Sequence, residues 1–263
     1  MTVPTITLTD PEGPSAAPLL VLGPSLGTST ILWEAAAPAL RARYRVTAWD
    51  LPGHGESPHP TSPFTVGELA DAVAEAARAQ GADRILYAGV SLGGATGLAL
   101  ALRHPGLVAG AAIVASGAVL GDPDSWHARA AQVRAQSTSS LIVSSAQRWF
   151  APGSIEREPD LSGRLLHALQ NADDEGYALC CEALAAYDVR SRLSEIRVPI
   201  RALWGRFDQV APEAKAVEIA AGVPGGSADV IEGAAHLPPA EQPEATASAL
   251  LDFFGSLPEG HRA

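Results

Sequence analysis

One stretch of this chain constrains its fold more than any other. The apolar run Ile85 to Ala88 passes directly into Gly89-Val90-Ser91-Leu92-Gly93-Gly94 and then into an Ala- and Leu-rich segment that ends before Pro105. The run reads as a strand, the Gly-x-Ser-x-Gly segment as a tight turn, and Gly93 to His104 as a helix. A turn this tight needs small residues on both sides of the serine, and it lifts the hydroxyl clear of the sheet. Amides at the start of the helix favour negative charge, which is what an acyl transfer develops. A glycine-rich turn with an incidental serine has the same outline, so the rest of the chain has to discriminate.

Further apolar runs support an open α/β fold. Leu19 to Leu22 reads as a strand buried on both faces, and Thr5 to Thr9 alternates as an edge hairpin strand leading into it. Val46 to Trp49, Ala111 to Ala115, Ile200 to Trp204 and Ala228 to Ile231 are further candidates for buried strands. Helical patterns such as Val66 to Ala79 lie between most of them, which implies a mostly parallel sheet with helices on both faces.

The alternation stops at about Gly121 and resumes after Leu193. Trp126 to Ala135, Ser140 to Phe150, Leu161 to Asn171 and Tyr177 to Ala186 read as helices with no strand between them. A segment of that length cannot be a structureless loop in a compact domain, so 121–193 is expected to be an inserted helical cap on a core of 1–120 and 194–263. No internal repeat is visible, and only the tail after Leu257 reads as poorly ordered.

Charge and composition remove several classes of function. A net charge of −11 without clustered Lys and Arg argues against a nucleic-acid binder. No apolar run approaches the roughly 20 residues of a membrane span, and no basic segment followed by an apolar one marks a signal peptide. A cytoplasmic enzyme acting on a small molecule is the expectation, with the oligomeric state open. Cys180 and Cys181 are the only cysteines and are adjacent, so they read as small apolar residues on a packed helix rather than as a disulfide or metal pair.

A serine hydroxyl needs a base, and seven histidines compete for that role. His236 lies in the loop Gly233-Ala234-Ala235-His236, after the last strand, at the carboxyl edge where sites of open α/β folds gather. His104 reads as a helix cap and His54 as part of a turn, while His59, His127, His167 and His261 lack comparable placement. The acid that orients the base is expected to be Asp208, in the loop after Ile200 to Trp204, with Asp122 and Asp124 as rivals after the preceding strand. The order Ser91, Asp208, His236 agrees with the order used by hydrolases of this turn type. The oxyanion would be held by two backbone amides, those of Leu92 and of Leu26 in the loop Gly23 to Gly27, with Ser25 structuring that loop or touching substrate. Asp50 to Ser57 is a glycine-punctuated turn whose expected work is structural.

On these residues the chain resembles the α/β-hydrolases throughout, and more narrowly the 3-oxoadipate enol-lactonases of the β-ketoadipate pathway. The narrower likeness rests on Pro24 to Ser29 with Trp33, on Arg148-Trp149-Phe150, on Gly176 to Cys181, and on Ala235-His236-Leu237 with Glu241 to Glu244. Two positions depart from that family, which usually has Asn where this chain has Pro24 and often Met where it has Ala95. The first bears on how the oxyanion loop is held and the second on the pocket floor.

The resemblance implies hydrolysis of an enol-lactone that carries a carboxylate, giving 3-oxoadipate. Such a substrate calls for a cation in the cap, and Arg129, three residues from Trp126 on one helix, is the first candidate, followed by Arg134 and Arg148. Trp126 and Trp149 would line the pocket or pack the cap. Neither cofactor nor metal is called for, because a triad and an oxyanion hole supply nucleophile, base and charge stabilisation. Three readings stay open here. One is a lactone or carboxylic ester hydrolase, one is a perhydrolase or C–C hydrolase on the same fold, and one is a non-catalytic receptor-like protein.

Overall fold

The computed structural model describes residues 3–257, so the tail after Leu257, with His261, lies outside the described residues. In chain order the elements of the first half are β1 (Thr7–Leu8), β2 (Leu19–Gly23), α1 (Ala37–Arg41), β3 (Arg45–Asp50), α2 (Val66–Ala79), β4 (Ile85–Val90), α3 (Leu92–Arg103) and β5 (Val108–Val114). There follow α4 (Pro123–Gln136), α5 (Ile142–Trp149), α6 (Ser154–Arg157), α7 (Pro159–Asn171) and α8 (Asp174–Ala185). The chain then returns to β6 (Ile200–Gly205), α9 (Glu213–Gly222), β7 (Ser227–Ile231), α10 (Pro238–Glu241) and α11 (Pro243–Gly255).

The strands form one seven-stranded sheet of order β1-β3-β2-β4-β5-β6-β7, parallel except for β1. Every residue of β2, β4 and β5 is buried. Successive side chains of a strand point to opposite faces, so burial of all of them means that both faces of the central sheet are covered. One sequence expectation fails here. β1 pairs antiparallel with β3, Thr7 opposite Asp50, and not as a hairpin with β2. β2 has no free edge to offer, because it is parallel-paired to β3 on one side and to β4 on the other.

Helix boundaries follow local chemistry. α2 opens with a reciprocal capping box, Thr65 accepting the Glu68 amide while the Glu68 side chain accepts the Thr65 amide. α4 opens on Asp122, whose side chain accepts the Ser125 amide at 2.9 Å, with Pro123 at the first helical position. Between β5 and β6 the chain runs through helices α4 to α8, with α4 packed on α8. Cys180 and Cys181 are buried on α8, and burial pushes the Cys181 thiol up to about 12, which keeps it protonated and unreactive. Among the described residues no helix is long and apolar enough to cross a membrane.

Candidate active site

Ser91 occupies a backbone conformation that only a tightly held turn sustains, with φ 54° and ψ −114°. Such a left-handed conformation costs a non-glycine residue about 1–3 kcal/mol. The surroundings over-determine it. The Ser91 amide donates to Val114 O at 2.9 Å, its carbonyl accepts the Ser116 hydroxyl at 2.6 Å, and the Tyr87 hydroxyl donates to Gly93 O at 2.7 Å. The flanking glycines are forced by space. A Cβ on Gly89 would sit 2.3 Å from the Gly93 carbonyl oxygen, and one on Gly93 would sit 2.6 Å from that of Pro24.

His236 and Asp208 are brought together from loops after β7 and β6. His236 Nδ1 lies 3.0 Å from Asp208 Oδ2, and both side chains are almost wholly buried. An ionised carboxylate can only accept, so this bond selects the tautomer with the proton on Nδ1 and leaves Nε2 free to act as a base. Burial works to raise the Asp208 carboxyl, but the His236 imidazole and the amides of Ala211 and Val210 outweigh it and hold its pKa below the ordinary value. Of the rival acids, Asp122 lines the same cavity as Ser91 and His236, but its carboxylate caps α4 through Ser125 while the His236 ring bonds to Asp208, and Asp124 lies in the first turn of α4. Ser91 and His236 line one cavity of about 260 Å³, small on the scale of ligand pockets.

The loop after β2 presents its amides beside this cavity. The Ser25 amide donates to Thr28 Oγ1 at 3.0 Å, that of Gly27 to His54 Nε2 at 3.3 Å, and that of Thr28 to Ser25 O at 3.0 Å. The Gly93 amide is taken by Pro24 O at 3.0 Å. Among the described residues the amides of Leu26 and Leu92 are left without an acceptor, as two donors awaiting an oxyanion would be. Pro24 thus supports the loop through its carbonyl, and Ala95 is buried but does not line the cavity.

The helical segment closes the cavity with Trp126, Arg129, Arg148, Trp149 and Tyr177, and Ser25 and Leu26 line it from below. Arg129 lies over the Trp126 ring at 5.4 Å, as their spacing on one helix face allows. Arg148 donates to Ser144 O, and burial, followed by the charge of Arg129, pushes its guanidinium below the usual value. Among the described residues neither arginine has a carboxylate within ion-pair distance.

Arg134 overturns an expectation. It does not line the cavity but is held by Glu175 and Glu182 of α8. Five residues beyond Arg129, it lies about 140° round the helix, on the face that meets α8.

Two contributors escaped the sequence reading. Tyr177 is buried and lines the cavity, burial raising its hydroxyl pKa. His54 stacks on Tyr177 and accepts the Gly27 amide, so the Asp50 to Ser57 turn braces the loop after β2. The glycine turn around His54 was the only local signal, and nothing in it points to Gly27. Among the described residues no group of three or more His, Cys, Asp or Glu side chains converges as a metal site.

Comparison with known proteins places the chain among the α/β-hydrolases. A family model described as the alpha/beta hydrolase fold matches residues 18–243. The chain is 33% identical over 233 residues, 89% of its length and 87% of the other, to 3-oxoadipate enol-lactonase 2 of Acinetobacter baylyi. It is 29% identical over 242 residues, 89% of its length and 92% of the other, to a pimeloyl-[acyl-carrier protein] methyl ester esterase of Edwardsiella ictaluri. Among solved structures, the enol-lactonase of Burkholderia xenovorans superposes with a TM-score of 0.92 at 31% identity, over 95% of this chain and 96% of that one.

Proposed function

The chain belongs to the α/β-hydrolase family, and from that premise we propose that it hydrolyses a small lactone or carboxylic ester bearing a free carboxylate, with 3-oxoadipate enol-lactone as the preferred substrate. The observation that carries this reading is one small cavity that Ser91 and His236 share with two arginines, Arg129 and Arg148, which among the described residues form no ion pair, the carboxylate of Asp122 that also lines it being bonded to Ser125. Two like charges held half-buried are costly unless an anion joins them, so the cavity is complementary to a carboxylate. The helices of 121–193 act in this reading as the cap that supplies it.

The chemistry runs from Ser91 outwards. His236 Nε2 takes the hydroxyl proton as Ser91 Oγ attacks the lactone carbonyl, and Asp208 stabilises the imidazolium that results. The Leu26 and Leu92 amides receive the oxyanion of the tetrahedral intermediate. Collapse breaks the ring C–O bond and releases an enolate, which takes the proton from His236 while its acyl carbon stays on Ser91 Oγ. Water, deprotonated by His236, then cleaves the acyl-enzyme and returns the proton to Ser91. No residue in this scheme requires a cofactor.

The test is hydrolysis of the enol-lactone by the wild-type chain and by Ser91→Ala. Loss of several powers of ten in the variant, with the fold retained, is the expected result. Turnover of aryl esters by wild type, abolished by Ser91→Ala, together with no turnover of the enol-lactone, would reject the substrate and keep the chemistry. Equal rates for both proteins would reject the nucleophile. The methyl ester of pimeloyl-[acyl-carrier protein] is the second substrate to assay, because a relative of similar coverage is named for it.

A further inference from the structure

Glu241 is 8% exposed, at the end of α10, and its carboxylate collects donors from two parts of the chain. Oε1 accepts the Ala151 amide at 2.6 Å and the Ser154 hydroxyl at 2.9 Å, both in the helical segment between β5 and β6. Oε2 accepts the Ala235 amide at 2.7 Å and the Leu237 amide at 3.4 Å, on either side of His236. The amide of His236 itself donates to the carbonyl of Trp149 at 3.1 Å. Three successive amides, 235 to 237, are therefore fixed, two by Glu241 and one by a residue that lines the cavity.

Among the described residues no arginine or lysine forms an ion pair with Glu241; Arg157 reaches it only through the Ser154 hydroxyl, to which it donates at 2.8 Å, so these four hydrogen bonds are its direct partners. Burial raises its carboxyl above the ordinary value, with the four donors opposing. A buried carboxylate without a cation is an expensive way to tie loops together, and it sits where an error of position would be felt most, next to the base.

We propose that Glu241 is a positioning residue: its two carboxylate oxygens lock the His236 loop to the cap, so that the base and the cavity wall are set as one unit. This inference rests on the reading of His236 as the base. It goes beyond that reading by assigning the placement of His236 to a residue outside the triad.

Glu241→Gln keeps the size of the side chain but turns one oxygen into an N–H₂ group that faces donors, so one edge of the clamp must open. Three measurements read the effect on the full chain: thermal unfolding, kcat and KM for p-nitrophenyl acetate, and the rate at which phenylmethanesulfonyl fluoride modifies Ser91. The last depends on base-assisted reactivity of the serine and not on substrate contacts with the cap. A folded variant should show kcat and the sulfonylation rate lowered together by about 10- to 100-fold, the scale that misplacement of a catalytic group produces, with KM changed little.

Unchanged kcat, a change in KM alone, or a kcat loss that merely tracks the unfolded fraction would overturn the inference. Should Glu241→Gln not fold, Ser154→Ala removes one cap donor and leaves the other three, and it should still lower kcat severalfold. A folded Ser154→Ala with wild-type kcat would then overturn the inference. Ser91→Ala separates the two readings. If it is inactive while Glu241→Gln behaves as wild type, only the clamp is wrong; if it retains activity, the triad reading itself fails.

Discussion

His54 provides a test of the brace beneath the oxyanion loop in which the sign and the size of the effect both follow from the structure. Its ring is 2% exposed, with Nδ1 donating to Pro52 O at 3.0 Å and Nε2 accepting the Gly27 amide at 3.3 Å. Burial lowers its pKa from the ordinary 6.5 to about 4, while the Pro52 carbonyl and the charge of Asp173 pull the other way. The folded chain thus keeps the ring neutral where the unfolded chain already binds a proton. Because the folded pKa is the lower one, the stabilisation is complete above pH 6.5 and is lost as pH falls towards 4.

The difference, 6.5 − 4 = 2.5, converts at about 1.36 kcal/mol per unit to about 3 kcal/mol. Urea unfolding of the wild type and of His54→Gln, from about pH 7.5 to about pH 4.5, measures it. Glutamine can still accept the Gly27 amide but does not titrate. Other groups titrate in the same range, so the quantity to read is the difference between the two proteins. The wild type should lose about 2–3 kcal/mol relative to the variant across that range. Parallel curves would refute the argument, and the oxyanion loop would then rest on something other than a neutral imidazole.

Three further outcomes are expected. Ser91→Gly should be inactive yet about 1 kcal/mol more stable than Ser91→Ala in urea unfolding, since glycine releases the left-handed strain at this position; a glycine variant less stable than the alanine one would count against strain. Asp208→Asn should lower kcat by up to about 10⁴-fold, because an amide can hold the imidazole in the wrong tautomer. Asp122→Ala should lose only its helix cap and keep kcat near the wild-type value, and steady-state kinetics giving the reverse ranking would move the acid to Asp122. Arg129→Leu and Arg148→Leu should each raise KM for the carboxylate-bearing lactone by about 10- to 100-fold, the worth of a hydrogen bond to a charged group, and leave its methyl ester unchanged. Arg134→Leu, whose parent side chain is engaged with α8, should leave KM for both substrates as it is.

How far a sequence can be read depends on the range of the physics involved. The elbow around Ser91 was legible because its causes are local: a strand, a turn that tolerates only small residues at positions 89 and 93, and a helix. The sheet was legible because a strand buried on both faces must be apolar at every position, as β2, β4 and β5 are. Burial of β5 is a property of single residues, but pairing is a relation between distant ones. The pattern of Thr5 to Thr9 therefore announced an edge strand and could not say that β3, not β2, would be its neighbour.

Side-chain destinations in the helical segment were settled only by packing. Arg129, Arg134 and Arg148 are alike in sequence, yet α8 presents two carboxylates to one of them and the cavity receives the other two. The bond from His54 to Gly27 and the reach of Glu241 to Ala151, across 90 positions, have no periodicity to betray them. Chain order determines which groups exist and which face of an element they take. Only the closed tertiary structure, in which buried polar groups must find partners wherever the chain brings them, decides which distant donor each one meets.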